Sequence, residues 1–408
     1  MAKDVNPPRG MRDFLPAEKL QREQVLARIR GTYRAHGFQE IETPALEDIQ
    51  KLTSGQGGDN EKLAYRVMKR GAELEAALAT SDESELSDLG LRFDLTVPLT
   101  RYYATNRNDL PPVFKAIQIG PVWRAERPQK GRYRQFVQCD IDIIGDDSNL
   151  AEIDLLTSSL DALDSLGLQD AIIRVNHREL LNQNLASLGV AEADRPSAMI
   201  TIDKLDKLSA DGVVAELRER QGDAVADAAA RWLASIVGDL KAPDELAHIF
   251  AAVESRFAGR LRFDPTLVRG MGYYTGAIFE IEHPGSGSSI GGGGRYDGMV
   301  GRWLGTDVAA VGISLGFERV VDLVDAAKFS SRPNSAVLVL ENDSLETVSN
   351  ALARQRELQE FGTEVRLENR PKKLTNLLEA LAASGFDRFA TVDENTKTFE
   401  DLNLREIS

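Results

Sequence analysis

Over residues 17–36 apolar side chains return at helical spacing, with Leu20, Val25, Leu26, Ile29 and Tyr33 on one side and charges elsewhere. That period predicts an amphipathic helix, and Gly37 follows it as a C-terminal cap. Before it, PPRGMRDFLP reads as an extended arm punctuated by Pro and Gly. After it, FQEIETPALED reads as a strand interrupted at Pro44. Proline removes a ladder donor, so that strand belongs at an edge or an interface.

Period two takes over further on. An apolar run at 116–123 and an alternating run at 136–144 predict two strands joined by a polar loop at 124–135. In the second run Phe136, Gln138 and Asp142 alternate with Val137, Ile141 and Ile143. Upstream, LRFDLTVPLTRYYA begins as a strand on which Arg92, Asp94 and Thr96 share a face, and Pro98 opens a helix. The acidic, serine-containing GAELEAALATSDESELSDLG at 71–90 reads as a mobile connector. Residues 151–167 are helical, His177 sits at a strand-to-helix turn where a capping role fits best, and 169–260 keeps helical periodicity with few glycines. The stretch 267–303 alternates strands with glycine-rich segments, one of them GGGGR, which a flexible turn would also give. At 309–324 a small-residue strand runs into a helix. Beyond the linker SSRPN, strands at 336–340, 363–367 and 389–392 enclose helices at 345–361 and 374–384, the grammar of a small parallel sheet.

Composition narrows the class. A chain of 408 residues predicts two to three domains at roughly 150 residues each. Its 42% hydrophobic and 28% charged residues are ordinary for a globular protein, and no apolar stretch approaches the ~20 residues of a membrane span. Cys139 is the single cysteine, which excludes internal disulfides and thiolate metal clusters and leads to the expectation of a cytoplasmic protein. The net charge of −15 argues against general nucleic-acid affinity. A local basic site survives that balance, because salt confines fields to about 8–10 Å.

Such a site is present. The 124–135 loop carries Arg124, Arg127, Lys130, Arg132 and Arg134 against Glu126 alone, so it is either a polyanion site or a solvated hairpin. A guanidinium suits phosphate through its bidentate fork. Gln138 and Asp142 favour the pocket, since polar side chains inside an apolar strand are costly to bury without partners. Asp94 is either a helix cap or a ligand. Arg269 lies beside Gly270 and Gly272, which let a ligand come close, and Tyr273 and Tyr274 supply ring faces and hydroxyls for a planar heterocycle. Arg319, at a helix start, opposes the macrodipole and so calls for an anionic partner.

These residues carry a resemblance. GPVWRAERPQKGRYRQFVQ resembles motif 2 of the class II aminoacyl-tRNA synthetases in the histidyl form. The first helix with its proline-broken strand resembles motif 1, which builds the dimer interface. LVRGMGYYTG with GGGRYD resembles the histidine-specific element, AAVGISLGFERVVDLV resembles motif 3, and the C-terminal segment resembles the anticodon-binding domain. The resemblance implies an α+β fold: a class II catalytic domain with a mostly antiparallel sheet over 1–168 and 261–328, a helical insertion over 169–260, and a small C-terminal α/β domain over 329–408.

It also implies ATP-dependent activation of histidine and transfer to tRNA-His by a homodimer, with Mg2+ accompanying ATP and no metal held by protein ligands. By residue, Arg124 would hold the α-phosphate, Arg319 the γ-phosphate, Glu126 the adenine, and Arg269 the charge developing at the α-phosphate. Asp94, Thr96 and Gln138 would bind the amino-acid backbone, and Asp142, Tyr273 and Tyr274 the imidazole. Arg127, Gln129 and Arg132 would meet ATP or the tRNA acceptor end. Three departures stand out. Gly272 replaces a larger, often acidic residue, the GSGSS turn is short, and the chain stops at LREIS, where the family adds a strand and a helix, so the last domain is expected to be shortened. Two other readings stay open: a regulatory subunit of ATP phosphoribosyltransferase, and an amino-acid-activating paralogue with a non-tRNA acceptor.

Overall fold

The computed structural model describes residues 5–53, 62–80, 82–127, 131–205, 207–236, 238–269, 273–329 and 334–407. The strands, in chain order, are β1 (Gln39–Glu40), β2 (Leu46–Asp48), β3 (Tyr65–Met68), β4 (Ser87–Leu91), β5 (Phe114–Trp123), β6 (Gln135–Ile144), β7 (Ile172–His177) and β8 (Leu261–Phe263). They continue with β9 (Ala277–Glu282), β10 (Gly291–Arg295), β11 (Ala310–Gly316), β12 (Ser335–Leu340), β13 (Glu364–Asn369), β14 (Arg388–Val392) and β15 (Arg405–Glu406). The backbone gathers into two units, one of Met1–Arg12 with Arg28–Val324 and one of Asp13–Ala27 with Asp325–Ser408.

In the first unit the described strands form an eight-stranded sheet, ordered β1-β5-β6-β11-β10-β9-β7-β8. It is antiparallel except at its ends, where β1 runs parallel to β5 and β8 parallel to β7. The proline-broken segment splits as expected: β1 takes the edge of this sheet, and β2 joins a three-stranded sheet ordered β2-β4-β3. The longest pairing is the β5–β6 hairpin, in register from Phe114↔Ile144 to Trp123↔Gln135. Its odd positions on β6, Cys139, Ile141 and Ile143, are buried in the apolar interior. Helices Arg178–Ser187, Arg195–Ile202, Ala210–Gln221 and Asp223–Ser235 close round their own core, in which Leu181, Leu185, Met199, Val213 and Leu217 are buried. His177 caps the first of these, its ring accepting the Glu179 N–H at 3.3 Å.

In the second unit β13-β12-β14 is parallel, with β15 added antiparallel to β14. Helices Leu345–Glu360 and Leu374–Ala382 make the crossovers, and all six residues of β12 are buried. Among the described residues no helix is long and apolar enough to cross a membrane.

Two sequence expectations are corrected, and one alternative left open by the sequence is decided. The supposed connector at 71–90 is ordered among its described residues, as helix Gly71–Thr80, a 3-10 turn Glu83–Leu86 and β4. Its AELEAALA run is rich in strong helix formers, and Asp82 caps the turn by accepting the Ser84 N–H at 2.9 Å. Arg92, Asp94 and Thr96 do not share a strand face: β4 ends at Leu91 and the helix Thr96–Asn106 follows. Pro98 stands in the first turn of that helix, where a missing N–H breaks no bond. The glycine run at 291–295 is a strand, β10, paired on both sides.

Candidate active site

The β5–β6 hairpin, β9, β10, β11 and the segments entering them surround a cavity of about 640 Å³. Asp94, Thr96, Arg124, Glu126, Arg132, Gln138, Asp142, Arg269, Tyr273, Tyr274 and Arg319 all line it. Arg127 is exposed and does not, while Gln129 and Gly272 fall outside the described residues.

The cavity has two ends of opposite charge. One is a recess floored by alternate residues of β6. Gln138, Asp140 and Asp142 are all buried and point the same way because side chains alternate along a strand. Asp94 joins them from the turn before Thr96–Asn106, where its Oδ1 also accepts the Val97 N–H at 3.2 Å, so it caps the helix and lines the cavity at once. Asp142 Oδ1 accepts the Tyr296 hydroxyl at 2.5 Å. Burial pushes the Asp142 carboxyl well above the usual carboxylate range, and the neighbouring Asp140 adds to it. Asp140 is pushed up to about 7, chiefly by burial, against hydrogen bonds from Ser314 and Gln138. The rings of Tyr273 and Tyr274 meet edge to face at 4.8 Å between centroids, and Tyr273 meets Tyr296 at 6.2 Å. Burial raises both phenols of the Tyr273–Tyr274 pair.

The other end is cationic. Arg124 donates to the Phe93 carbonyl at 3.0 Å and lies 5.0 Å over the Phe136 ring. Burial draws its guanidinium down, and Asp94 and Glu126 push it back up. Arg269 is paired with Glu280 Oε2 at 2.7 Å, while Arg174 holds Glu280 Oε1 at 2.9 Å. Arg319 donates to the Ser289 carbonyl. Burial lowers its pKa, and the nearby Arg132 and Arg269 lower it further. Like charges held together in a partly buried site are unfavourable until an anion arrives. The N-terminal arm braces this end: the Gly10 carbonyl accepts the Arg134 N–H at 2.8 Å, Arg12 stacks 3.6 Å from the Tyr133 ring centroid, and it pairs with Glu318.

Glycines make the space. A Cβ at Gly292 would stand 2.9 Å from the Arg269 Cζ, and one at Gly294 would stand 2.9 Å from the Tyr274 ring. On β11, Gly312 lies opposite Asp142, where a Cβ would come within 1.9 Å of Oδ1. Sequence reasoning missed Asp140, Tyr296, Glu280 and Ser314. Asp140 carried a signal, since it shares the period-two face of Gln138 and Asp142. The others reach the cavity through strand pairings that no local pattern reveals.

With this geometry in place, the likeness to known proteins is specific. The family model described as Histidyl-tRNA synthetase matches residues 10–320. A histidine–tRNA ligase from Leifsonia xyli subsp. xyli is 53% identical, over 97% of both chains. A crystal structure of histidyl-tRNA synthetase from Nostoc sp. PCC 7120 superposes with a TM-score of 0.77 at 26% identity, covering 99% of this chain and 96% of that one. A structure titled as an ATP phosphoribosyltransferase regulatory subunit/histidyl-tRNA synthetase, from Bacillus halodurans C, shares the fold at a TM-score of 0.73 and 19% identity, over 95% of this chain and 97% of that one.

Proposed function

This chain belongs to the histidyl-tRNA synthetase family, and from that premise we propose how its cavity works. It is a histidine–tRNA ligase: histidine and ATP give histidyl-adenylate with release of pyrophosphate, and the histidyl group then passes to tRNA-His. The observation that carries the residue roles is the two-ended cavity, an acidic recess with tyrosine rings continuous with a group of arginines. An amino acid with a cationic ammonium and a planar side chain suits the first end, and a triphosphate suits the second.

Arg124, fixed by the Phe93 carbonyl and the Phe136 ring, holds the α-phosphate. Arg319 takes the γ-phosphate with Arg132 beside it, and Glu126 contacts the adenine. Arg269 stabilises the charge that develops as the histidine carboxylate attacks the α-phosphorus. Its Glu280–Arg174 backing fixes the guanidinium beforehand, which is what makes a cation effective in the transition state. In the recess, Asp94, Thr96 and Gln138 receive the α-amino end, and Asp142 with Tyr273 and Tyr274 receives the imidazole. Arg127 and Gln129, beyond the cavity wall, meet the tRNA acceptor end.

Magnesium enters with ATP. Among the described residues no three His, Cys, Asp or Glu side chains group to hold a metal. Glu126, Glu280 and Glu318 are each paired with an arginine, so an ion arriving with ATP would be held mainly by phosphate and water oxygens, as magnesium usually is. The working form is a cytoplasmic homodimer, and the parallel β13-β12-β14 unit binds the anticodon. The test is ATP–pyrophosphate exchange across the amino acids, then charging of a tRNA-His transcript. Exchange with histidine alone and charging are expected. No exchange would favour the regulatory-subunit reading, and exchange without charging the paralogue with another acceptor.

A further inference from the structure

Within the recess, one side chain is arranged in a way the roles above do not explain. Gln138 directs its amide nitrogen at Asp140 and Ser314. Nε2 stands 3.3 Å from both Asp140 oxygens and 3.2 Å from Ser314 Oγ. A carboxamide has two N–H donors and one acceptor oxygen, so both donors are occupied. The oxygen, Gln138 Oε1, is buried and has no hydrogen-bond partner, and the residue lines the cavity. A buried carbonyl oxygen left in that state is unfavourable by about 1–3 kcal/mol unless a ligand donates to it.

The neighbours explain the orientation. Ser314 sits directly opposite Asp140 across the β6–β11 pairing, and its hydroxyl bonds to the Asp140 carboxylate. Gln118, opposite Asp140 on β5, is engaged elsewhere: it donates to the Leu95 carbonyl at 3.0 Å and accepts from Thr43 at 3.1 Å. While Asp140 is ionised, a turned-over Gln138 amide would set its oxygen against the carboxylate, acceptor against acceptor.

We propose that Asp140, with Ser314, is a positioning residue that locks the Gln138 amide with its oxygen toward the substrate, and so makes the recess selective for an amino acid bearing a free ammonium. Asp140 is buried on the floor of the recess, with its carboxylate turned to Gln138 and Ser314. It acts through the face that Gln138 presents. The proposal rests on the histidine-binding reading of the recess and adds the device that sets its polarity.

The experiment is Asp140→Asn, a change of nearly equal volume that supplies an N–H able to bond a reversed Gln138 oxygen. Pyrophosphate exchange gives KM for histidine and ATP. Competition gives inhibition constants for histidinol, which keeps the ammonium, and for imidazolepropionate, which lacks it. The expected result is a loss of about tenfold for histidine and histidinol, the scale of one hydrogen bond to a charged group. ATP and imidazolepropionate should stay within about twofold. Ser314→Ala, which leaves the carboxylate in place, should show the same selectivity with a smaller loss and serves if Asp140→Asn does not fold. Equal losses for histidinol and imidazolepropionate, or no loss for either, would overturn the proposal. Absence of histidine-dependent exchange in the wild type would instead sink the underlying reading.

Discussion

Gly312→Ala tests the recess at the point where the structure leaves least room. The new Cβ would lie 1.9 Å from Asp142 Oδ1 and 2.8 Å from its Cγ, where ordinary contact begins at 3.4 Å. Relief therefore needs a shift of about 1.5 Å, the difference of those distances. The backbone cannot supply it, because Gly312 and Asp142 are register partners in the middle of the β6–β11 ladder. The Asp142 carboxylate must turn, and its 2.5 Å bond from Tyr296 breaks. That loss is about 1–3 kcal/mol for a buried group left without its hydrogen-bond partner, with overpacking adding about 1–3 kcal/mol. If Asp142 holds the imidazole, KM for histidine should rise roughly 10- to 100-fold, the kinetic equivalent of about 1.4–2.7 kcal/mol, while KM for ATP moves little. Gly298→Ala is the control: nothing lies within 4 Å of its Cβ and it stands in a helix, so it should leave both constants nearly unchanged and stability equal or up to about 1 kcal/mol higher. A folded Gly312→Ala enzyme with normal histidine KM would remove Asp142 from amino-acid recognition. Equal losses for histidine and ATP would mean that the clash spreads through the sheet.

Three further outcomes are expected. Arg269→Ala should slow adenylate formation roughly 10²–10³-fold without unfolding the protein, because Arg174 still holds Glu280; a near-normal exchange rate would remove Arg269 from the chemistry. Asp142→Asn should weaken histidine much more than ATP, since it exchanges one acceptor oxygen for a donor, and a matching loss for both ligands would point to a structural role. The third concerns pH. Asp140 is raised from 3.8 to about 7 in the folded chain, so between those values the folded state binds more protons than the unfolded one and stability falls as pH rises. Denaturant midpoints of wild type minus Asp140→Asn should therefore decline from pH 4 to 7 and flatten above it, and a flat difference would contradict the raised carboxyl.

How much of this was legible depends on the range of the signal. The β5–β6 hairpin and the parallel unit follow from strong periodicity, and the observed strands and helices fall within a few residues of their sequence expectations. The 71–90 segment was misread because acidic and serine content was weighed without the helix propensity of AELEAALA. Asp94 was placed on a strand because apolar alternation continues past Leu91, but the turn before Thr96 is set by capping, a local bond that alternation does not report. Asp140 was within reach of the period-two rule. Gly312, Tyr296 and Glu280 were not, since each acquires its role only when β9, β10 and β11 are laid beside β6.

The two ends of the cavity also act on each other, and Arg124 is the link. Its guanidinium feels Asp94 and Asp140 from the recess as well as Glu126 from the cationic end. Those recess charges, at least while Asp140 is ionised, repel an incoming triphosphate. An ammonium seated against Asp94 cancels part of that repulsion. Amino acid and nucleotide should therefore bind with positive coupling, and linkage makes the effect reciprocal. At an effective dielectric near 20, charges roughly 10 Å apart interact by about 1–2 kcal/mol, so a coupling of about fivefold is a reasonable scale. Calorimetry can measure it without turnover, because histidinol carries the ammonium but has no carboxylate to attack the α-phosphorus. ATP should bind about fivefold tighter with saturating histidinol than alone, and saturating imidazolepropionate should give no such gain. Equal ATP affinity with and without histidinol would show that the recess and the arginines are electrostatically independent, and that their placement in one cavity serves proximity alone.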